Sequence, residues 1–136
     1  MEQRNESSCR CIIVIDHDDD TRQIVRDQLE AMGFTVHGED NGVSGLARIA
    51  CESPKAAALG VIVELEMPVL GGMAILQELR DRHPDIPVLV MSHPEGILRL
   101  RHAVRLGAKE YLVKPFAPEL FRRKCQEVFQ PRQGIT

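Results

Sequence analysis

Short apolar runs alternate along the chain with longer segments in which apolar residues recur every three or four positions. The short runs are rich in Val and Ile and predict strands, whereas the longer repeats predict helices. Strands are predicted in this way at 11–15, 34–37, 59–65, 88–91 and 111–113. A predicted helix follows each strand, so the order is strand then helix, five times over.

Glycine and proline mark the ends of these predicted helices. Gly33 ends the first helix and Gly107 the fourth, the second ends before Pro54, and the last begins after Pro118. The acidic run at 18–20 is expected to cap the first helix and to place negative charge at its positive end. The apolar repeats themselves lie at 24–32, 43–49, 73–79, 97–106 and 120–129.

Strands that read as continuous apolar runs are buried on both faces, which is typical of a parallel sheet covered by helices on each side. Five strand–helix units fill the 136 residues, which is too few for an eight-stranded barrel. We therefore predict an α/β fold with a doubly wound, parallel five-stranded sheet of flavodoxin-like order 2-1-3-4-5. The predicted divisions are a polar N-terminal segment at 1–9, one folded domain at 10–130 and a flexible tail at 131–136. The connection at 53–58 has no predicted role.

Composition removes several classes of function. The chain is 43% hydrophobic and 27% charged, as soluble globular domains are, and its net charge of −3 gives no general attraction to nucleic acid or anionic membranes. No apolar stretch approaches the roughly 18 residues of a membrane span, and the first ten residues lack the apolar core of a signal peptide. A cytoplasmic protein with reduced cysteines is therefore expected.

Polar side chains stand where the predicted strands end. In an open α/β sheet, ligands bind in the crevice outside these carboxyl ends. Acidic groups there could hold a divalent cation, while a lysine and a hydroxyl could contact a phosphoryl group. The alternative is a solvated polar rim without chemistry. The residues concerned are Asp16, His17, Glu64, Glu66, Ser92 and Lys114.

Four short motifs occupy these strand ends: Val14-Ile15-Asp16-His17, Glu64-Leu65-Glu66-Met67-Pro68, Met91-Ser92-His93 and Tyr111-Leu112-Val113-Lys114-Pro115-Phe116. In these motifs, and in the Gly107-Ala108 turn, the chain resembles the receiver domains of two-component response regulators, including the chemotaxis regulator. The resemblance covers 10–130 and implies a cytoplasmic signalling module that binds other proteins and is not an enzyme. It also implies that Ser92, Lys114 and Tyr111 contact a phosphoryl group or respond to it, and that the Lys114–Pro115 peptide is a candidate for the cis form.

Two departures from the family pattern lie at the centre of its chemistry. Glu64 stands where receivers carry the phosphorylated Asp, and His17 replaces the second member of their acidic pair. The family's Mg²⁺ site would here comprise Asp16, His17, Glu64 and the carbonyl of Glu66. Mg²⁺ demands oxygen ligands in near-octahedral geometry, so we expect its binding to be weak or absent. Misplacing the acceptor by 1 Å costs in-line transfer about a hundredfold, so the usual Asp-dependent phosphorylation is not expected.

Several interpretations of these departures stay open. Glu64 could act as a fixed anion that biases the switch, or could form a purely structural pair with Lys114. His17 could ligate a softer divalent metal, sense pH, or be a solvent-facing loop residue. The alternatives to a phosphorylation-independent module are a phospho-accepting receiver with unusual ligands and a metal-dependent phosphohydrolase that uses Asp16, His17 and Glu64.

The fourth helix, fifth strand and fifth helix form the usual output face of the family. Basic residues concentrate in this part of the chain, at Arg99, Arg101, Arg105, Arg122, Arg123 and Lys124. The expected partner is a protein, either a histidine kinase or a downstream effector, with a homodimer as a further alternative. No membrane partner is expected, and nucleic acid is disfavoured because no aromatic residues interleave with the basic ones.

Overall fold

The computed structural model describes residues 9–53 and 59–130. The strands are β1 (Cys11–Ile15), β2 (Thr35–Glu39), β3 (Leu59–Glu64), β4 (Val88–Ser92) and β5 (Glu110–Val113). The helices are α1 (Asp19–Ala31), α2 (Gly42–Glu52), α3 (Gly72–Arg82), α4 (Ile97–Arg105) and α5 (Pro118–Phe129), and a 3₁₀ turn at Pro94–Gly96 precedes α4. Strand and helix alternate in the predicted order.

All five strands run parallel in the order β2-β1-β3-β4-β5, which confirms the predicted doubly wound sheet. Every residue of β1, β3 and β4 is buried, as the continuous apolar runs predicted. The register pairs Ile15 with Val63 and Ser92 with Val113, so the strands end close to one another. The residues that follow them are thereby gathered at one edge of the sheet.

Side chains alternate between two apolar cores, one on each face of the sheet. From β1, Ile13 and Ile15 enter the core that is closed by α2, α3 and α4. Ile12 and Val14 enter the opposite core with α1 and α5, where Phe121 and Phe129 are fully buried. Helices on both faces leave the carboxyl edge of the sheet as the open surface where polar groups collect.

The helix ends follow the predicted local chemistry. Asp18 caps α1, and its carboxylate accepts a hydrogen bond of 2.9 Å from the backbone N–H of Thr21. Gly33 and Gly107 follow α1 and α4 with φ of +97° and +113°, a conformation that glycine adopts without steric cost. The start predicted for the last helix was late, since α5 begins at Pro118, where the missing N–H is not needed in the first turn.

Other boundaries and burial assignments also differ from the sequence predictions. Strand β2 begins at Thr35, one residue later than predicted, because Thr35 pairs with Cys11 whereas Phe34 precedes the ladder. Ile24 and Val43 were counted in the apolar repeats but are exposed. Ile24 adjoins the buried Val25, and successive side chains on a helix point about 100° apart, so only one of the two faces the core.

Three predicted features fall outside the described residues in whole or in large part. They are the polar segment at 1–9, of which Cys9 alone is described, the connection at 53–58, of which only Ser53 is described, and the tail at 131–136. Cys9 is buried, and its N–H donates a hydrogen bond of 2.6 Å to the carbonyl of Phe129. Within the described ranges, no helix is long and apolar enough to cross a membrane.

Candidate functional site

The carboxyl ends of four strands bring buried polar side chains together. Asp16 follows β1, Glu64 ends β3, Ser92 ends β4 and Lys114 follows β5. In residues 9–53 and 59–130, these four are the polar or charged residues that are buried. Burying a charge is costly unless the charge is paired, so the arrangement of these groups must be built around mutual contacts.

Lys114 holds both buried carboxylates. Its ammonium lies 2.6 Å from Oε1 of Glu64 and 2.9 Å from Oδ2 of Asp16, and it donates a hydrogen bond to each. The second oxygen of Asp16, Oδ1, accepts a hydrogen bond of 2.9 Å from the backbone N–H of Asp18. One lysine thus bridges the ends of β1 and β3 from the end of β5.

His17 contacts the other oxygen of Glu64. The imidazole Nδ1 lies against Oε2, and the backbone N–H of His17 is 3.4 Å from the same atom. The His17 side chain is 42% exposed, so it faces solvent on one side and the buried carboxylate on the other. A second imidazole approaches from the β4–α4 loop, where Nε2 of His93 lies 3.8 Å from Oε1 of Glu64.

The pKa values of the two buried carboxyl groups, Asp16 and Glu64, are shifted in opposite directions. Burial tends to raise the pKa of Glu64, but hydrogen bonds and charges from Lys114 and His17 outweigh it, so this pKa lies below its usual value. For Asp16, burial prevails over the hydrogen bonds from Lys114 and the Asp18 N–H, and the pKa is raised. Burial would lower the pKa of Lys114, but hydrogen bonds to Glu64 and Asp16 raise it instead. Glu64 and Lys114 therefore form the firmly ionised pair of the site.

The carboxylate of Glu66 accepts the hydrogen bond of the Ser92 hydroxyl. The Ser92 Oγ donates a hydrogen bond to Oε2 of Glu66, the backbone N–H of His93 donates one of 3.1 Å to Oε1, and Nη1 of Arg99 lies 3.2 Å from Oε2. Gly96 makes room for this contact, because a Cβ at that position would collide with both Ser92 Oγ and Glu66 Oε2. A carboxylate from the β3–α3 loop is thus tied to the first turn of α4.

This role of Glu66 was not predicted from the sequence, which indicated only a backbone carbonyl ligand at that position. The structure pairs Glu64 with Lys114 and His17, and pairs Ser92 with Glu66. The available signal was Arg99, a cation near the start of α4 that could have suggested an acidic partner across the crevice.

The remaining predicted features, Tyr111 and the Lys114–Pro115 peptide, lie in β5 and directly after it. The Tyr111 ring is 41% exposed and lies under the Lys124 ammonium, 4.3 Å from the ring centroid. Lys124 also donates a hydrogen bond of 2.6 Å to the Tyr111 carbonyl, which ties α5 to this strand. The Lys114–Pro115 peptide is cis, and the N–H of Lys114 donates a hydrogen bond of 2.8 Å to the carbonyl of Ser92.

Two groups of side chains place three potential metal ligands within reach of one another. The first is Asp16, His17 and Glu64, and the second is Glu64, Glu66 and His93. Both share Glu64, and each contains an imidazole as well as two carboxylates. The crevice therefore offers mixed sets of nitrogen and oxygen ligands.

Comparison with known proteins gives a consistent result. The family model for the response regulator receiver domain matches residues 12–126. The response regulator MprA of Mycobacterium ulcerans (strain Agy99) is 35% identical over 108 residues, which is 79% of this chain and 45% of that protein. The probable transcriptional regulator ycf27 of Cyanidium caldarium is 25% identical over 130 residues, or 96% of this chain and 50% of that protein. The chain thus spans about half the length of these curated relatives.

Solved structures agree with the sequence relatives. The crystal structure of the receiver domain of NtrX from Brucella abortus aligns with a TM-score of 0.79 at 26% identity, and the match covers 89% of this chain and 99% of that one. A response regulator receiver domain protein from Clostridium thermocellum aligns with a TM-score of 0.73 at 28% identity, covering 88% of this chain and 99% of that one. Both neighbours are receiver domains, so the fold described above is that of a receiver.

Proposed function

The chain belongs to the response regulator receiver family of two-component signalling, and from that premise we propose that it works without phosphorylation of the usual kind, as a constitutively biased protein-interaction module. Receiver domains of this family are generally signalling modules without enzymatic activity, and response regulators interact with histidine kinases and effectors. The proposal concerns how this particular receiver is switched.

One observation supports the proposal above all. Ser92 and Lys114, which would contact a phosphoryl group, are already bound to carboxylates of the chain itself. Lys114 is paired with Glu64, and Ser92 donates to Glu66. A charge-assisted hydrogen bond of this kind is about twice as strong as a neutral one. An incoming phosphoryl group would have to displace both carboxylates before Ser92 or Lys114 could respond to it.

The position of Glu64 also argues against its service as an acceptor. The side chain is fully buried, with Oε1 held by Lys114 and Oε2 by His17. In-line transfer needs an oxygen that faces the phosphodonor, and a displacement of 1 Å costs about a hundredfold in rate. Glu64 is better suited to act as a fixed anion, although its single charge reproduces only part of the nearly doubly charged phosphoryl group.

Receiver domains typically bind Mg²⁺ at this place in the fold. The residues here fit that ion poorly, because His17 presents an imidazole nitrogen where an oxygen ligand is needed. In addition, the Lys114 ammonium already holds one oxygen of Asp16 and one of Glu64. Mg²⁺ binding at Asp16, His17, Glu64 and the Glu66 carbonyl is therefore expected to be weak or absent, and no step of the proposed function depends on it.

The proposed docking face comprises α4, β5 and α5. Arg101 and Arg105 on α4 and Arg122 and Arg123 on α5 are exposed, which favours an acidic protein partner over an anionic surface in a chain of net charge −3. Arg99 links this face to the site, since it reaches from α4 to Glu66. Glu66 would then fix the conformation of α4, and that conformation would not depend on phosphorylation.

The test compares the natural chain with a variant in which His17→Asp and Glu64→Asp restore the family pattern. Each protein is incubated with Mg²⁺ and a small phosphodonor and followed by intact mass, and each is titrated with beryllofluoride in ¹⁵N amide NMR spectra. We expect a phosphoryl adduct and shifts around Ser92, Lys114 and Tyr111 in the double variant alone. An adduct or the same shifts in the natural chain would overturn the proposal in favour of a phospho-accepting receiver with unusual ligands.

A further inference from the structure

The two buried carboxylates each give one oxygen to Lys114 and keep the other on the His17 side, where Oδ1 of Asp16 also accepts a hydrogen bond of 2.9 Å from the Asp18 N–H. Lys114 takes Oδ2 of Asp16 and Oε1 of Glu64. The remaining oxygens face His17, whose Nδ1 contacts Oε2 of Glu64 and lies 3.9 Å from Oδ1 of Asp16. The lysine and the imidazole thus approach different oxygens of the same two carboxylates, so a ligand on the His17 side need not displace Lys114.

The charges of the buried groups leave the His17 side electronegative. Asp16 and Glu64 together carry two negative charges when ionised, and Lys114 supplies one positive charge. Both carboxylates are fully buried, so water does little to screen the remaining negative charge. A cation placed among Oδ1 of Asp16, Oε2 of Glu64 and Nδ1 of His17 would neutralise it, and the partly exposed imidazole lies between that position and solvent.

We propose that Asp16, His17 and Glu64 bind a borderline divalent transition-metal ion, of which Zn²⁺ is the representative, in place of the Mg²⁺ of the family. Zn²⁺ accepts both imidazole nitrogen and carboxylate oxygen as ligands, and three protein ligands leave a fourth tetrahedral position open to water. The inference rests on the proposed function in one respect, since both hold that His17 makes the pocket unsuitable for Mg²⁺.

The choice of ion follows from the nitrogen ligand. Imidazole suits Zn²⁺, Co²⁺, Ni²⁺ and Cu²⁺, whereas Mg²⁺ requires six oxygens close to octahedral geometry. A substitution of imidazole for carboxylate at the edge of an acidic pocket therefore does more than weaken one metal site. It changes the class of ion that the pocket prefers.

The second group, Glu64, Glu66 and His93, is less suited to a metal. Both oxygens of Glu66 are engaged, by Ser92 and Arg99 on one side and by the His93 N–H on the other. Nε2 of His93 approaches Oε1 of Glu64, which is the oxygen that Lys114 already holds at 2.6 Å. An ion in this second group would have to compete with four cationic or hydrogen-bonding partners.

The test measures the binding of ZnCl₂ and MgCl₂ by calorimetry and by ¹⁵N amide NMR on the full chain. Every protein carries Cys51→Ser, because the exposed Cys51 thiol is a competing ligand for Zn²⁺. The variants are His17→Ala, His17→Asp and His93→Ala, and His102→Ala on the exposed face of α4 is the matched control. Co²⁺ replaces Zn²⁺ in a parallel series so that visible absorption reports the ligand geometry.

We expect Zn²⁺ to shift the amides at 16–18 and at Glu64 in the Cys51→Ser protein while Mg²⁺ leaves them in place. His17→Ala should weaken Zn²⁺ binding about tenfold or more, since even residues that only support a metal ligand are worth about ten- to a hundredfold. His17→Asp should reduce the preference for Zn²⁺ over Mg²⁺, and His93→Ala and His102→Ala should bind Zn²⁺ as the parent does.

Three outcomes would overturn the inference: Zn²⁺ affinity that survives His17→Ala, an equal loss in His93→Ala, or a parent protein that binds Mg²⁺ as tightly as Zn²⁺. Failure here is distinguishable from failure of the proposed function, which is judged by phosphoryl uptake and by beryllofluoride. A chain that takes no phosphoryl group and binds no Zn²⁺ would retain the proposed function and lose the metal site alone.

Discussion

The hydroxyl of Ser92 donates a hydrogen bond to Glu66, two residues beyond Glu64. The same carboxylate accepts from the His93 N–H and pairs with Arg99, so it joins the end of β4 to the first turn of α4. Glu64, the last residue of β3, is held separately by Lys114 and His17. The site thus contains two anchored carboxylates, of which Glu64 is paired with Lys114 and Glu66 with Ser92.

Removing Glu66 should loosen the start of α4. In Glu66→Ala, the His93 N–H loses its acceptor and Arg99 loses its ion-pair partner, while the Ser92 hydroxyl keeps the His93 carbonyl, at 3.0 Å, as an acceptor. A lost hydrogen bond costs about 0.5–1.5 kcal/mol. We expect a loss of stability in this range and faster hydrogen exchange of amides in the Pro94–Gly96 turn and the first turn of α4, measured by mass spectrometry.

The control for this change is Glu95→Ala. Glu95 is an exposed acid in the Pro94–Gly96 turn, so its removal alters the charge near α4 without touching Ser92. Equal exchange rates in the two variants, or unchanged exchange in Glu66→Ala, would show that Glu66 does not anchor α4.

Lys114 is the buried cation of the described residues, and its removal should be costly. Lys114→Met leaves Asp16 and Glu64 buried, close together and without their shared cation. Breaking a buried ion pair from one side costs about 3–5 kcal/mol, so chemical denaturation should show a loss of that order. Addition of Glu64→Gln to Lys114→Met should recover part of it, because the second change removes one of the unpaired charges.

Lys109→Met is the matched comparison, since Lys109 is exposed and carries the same side chain. Exposed charges contribute about 0–1 kcal/mol, so this variant should unfold close to the natural chain. If Lys109→Met and Lys114→Met unfold at the same denaturant concentration, the buried network does not stabilise the fold.

The Glu64 network should weaken in acid. The folded pKa of Glu64 lies below its usual value of 4.5 because Lys114 and His17 outweigh the opposing effect of burial. A depressed carboxyl pKa contributes stability that is present above the unfolded pKa and is lost as the pH falls through the folded one. The difference in unfolding free energy between the natural chain and Glu64→Gln should therefore be largest near neutral pH and shrink below pH 4.5.

Denaturation of both proteins at a series of pH values measures this difference directly. The comparison with Glu64→Gln cancels the acid dependence of carboxyl groups remote from the site, including Glu110, whose pKa is also lowered. A difference that stays constant or grows as the pH falls would contradict the assigned direction.

The sheet could be predicted from sequence because two-sided burial leaves a direct trace. Residues 11–15, 59–64 and 88–92 are nearly continuous apolar runs, and the structure places them as the three central strands. The family could be predicted because Ser92 ends β4 and the Lys114-Pro115 pair follows β5, at positions that the strand order brings together. Periodicity carried less information at helix faces, where Ile24 and Val25 both fit the repeat but only Val25 is buried.

The partner of Ser92 could not be predicted from the strand pattern. It depends on the absence of a Cβ at Gly96, on a backbone N–H at His93 and on the reach of Arg99 from α4. Each belongs to a different segment, and local sequence does not specify how they meet. The same limitation applies to His17, whose neighbours along the chain suggest a solvated loop whereas its ring contacts a carboxylate 47 positions away.

Val69 is a strained position whose relief should stabilise the protein. It lies in the β3–α3 loop with φ of +68° and its side chain is fully exposed. The left-handed conformation costs an L-residue about 1–2 kcal/mol, and no burial of the Val69 side chain offsets this cost. Val69→Gly should therefore raise the unfolding free energy by up to about 1 kcal/mol, since the greater freedom of glycine in the unfolded chain cancels part of the gain.

Val43→Gly is the matched control for this last prediction, because Val43 is equally a solvent-exposed valine but lies inside α2. Glycine is less favourable than valine within a helix, so this variant should lose roughly 0.5 kcal/mol. The same substitution is thus expected to have opposite signs at two exposed valines, and chemical denaturation resolves the difference. A loss at both positions would mean that the loop holds Val69 without strain and that its exposure needs another physical reason.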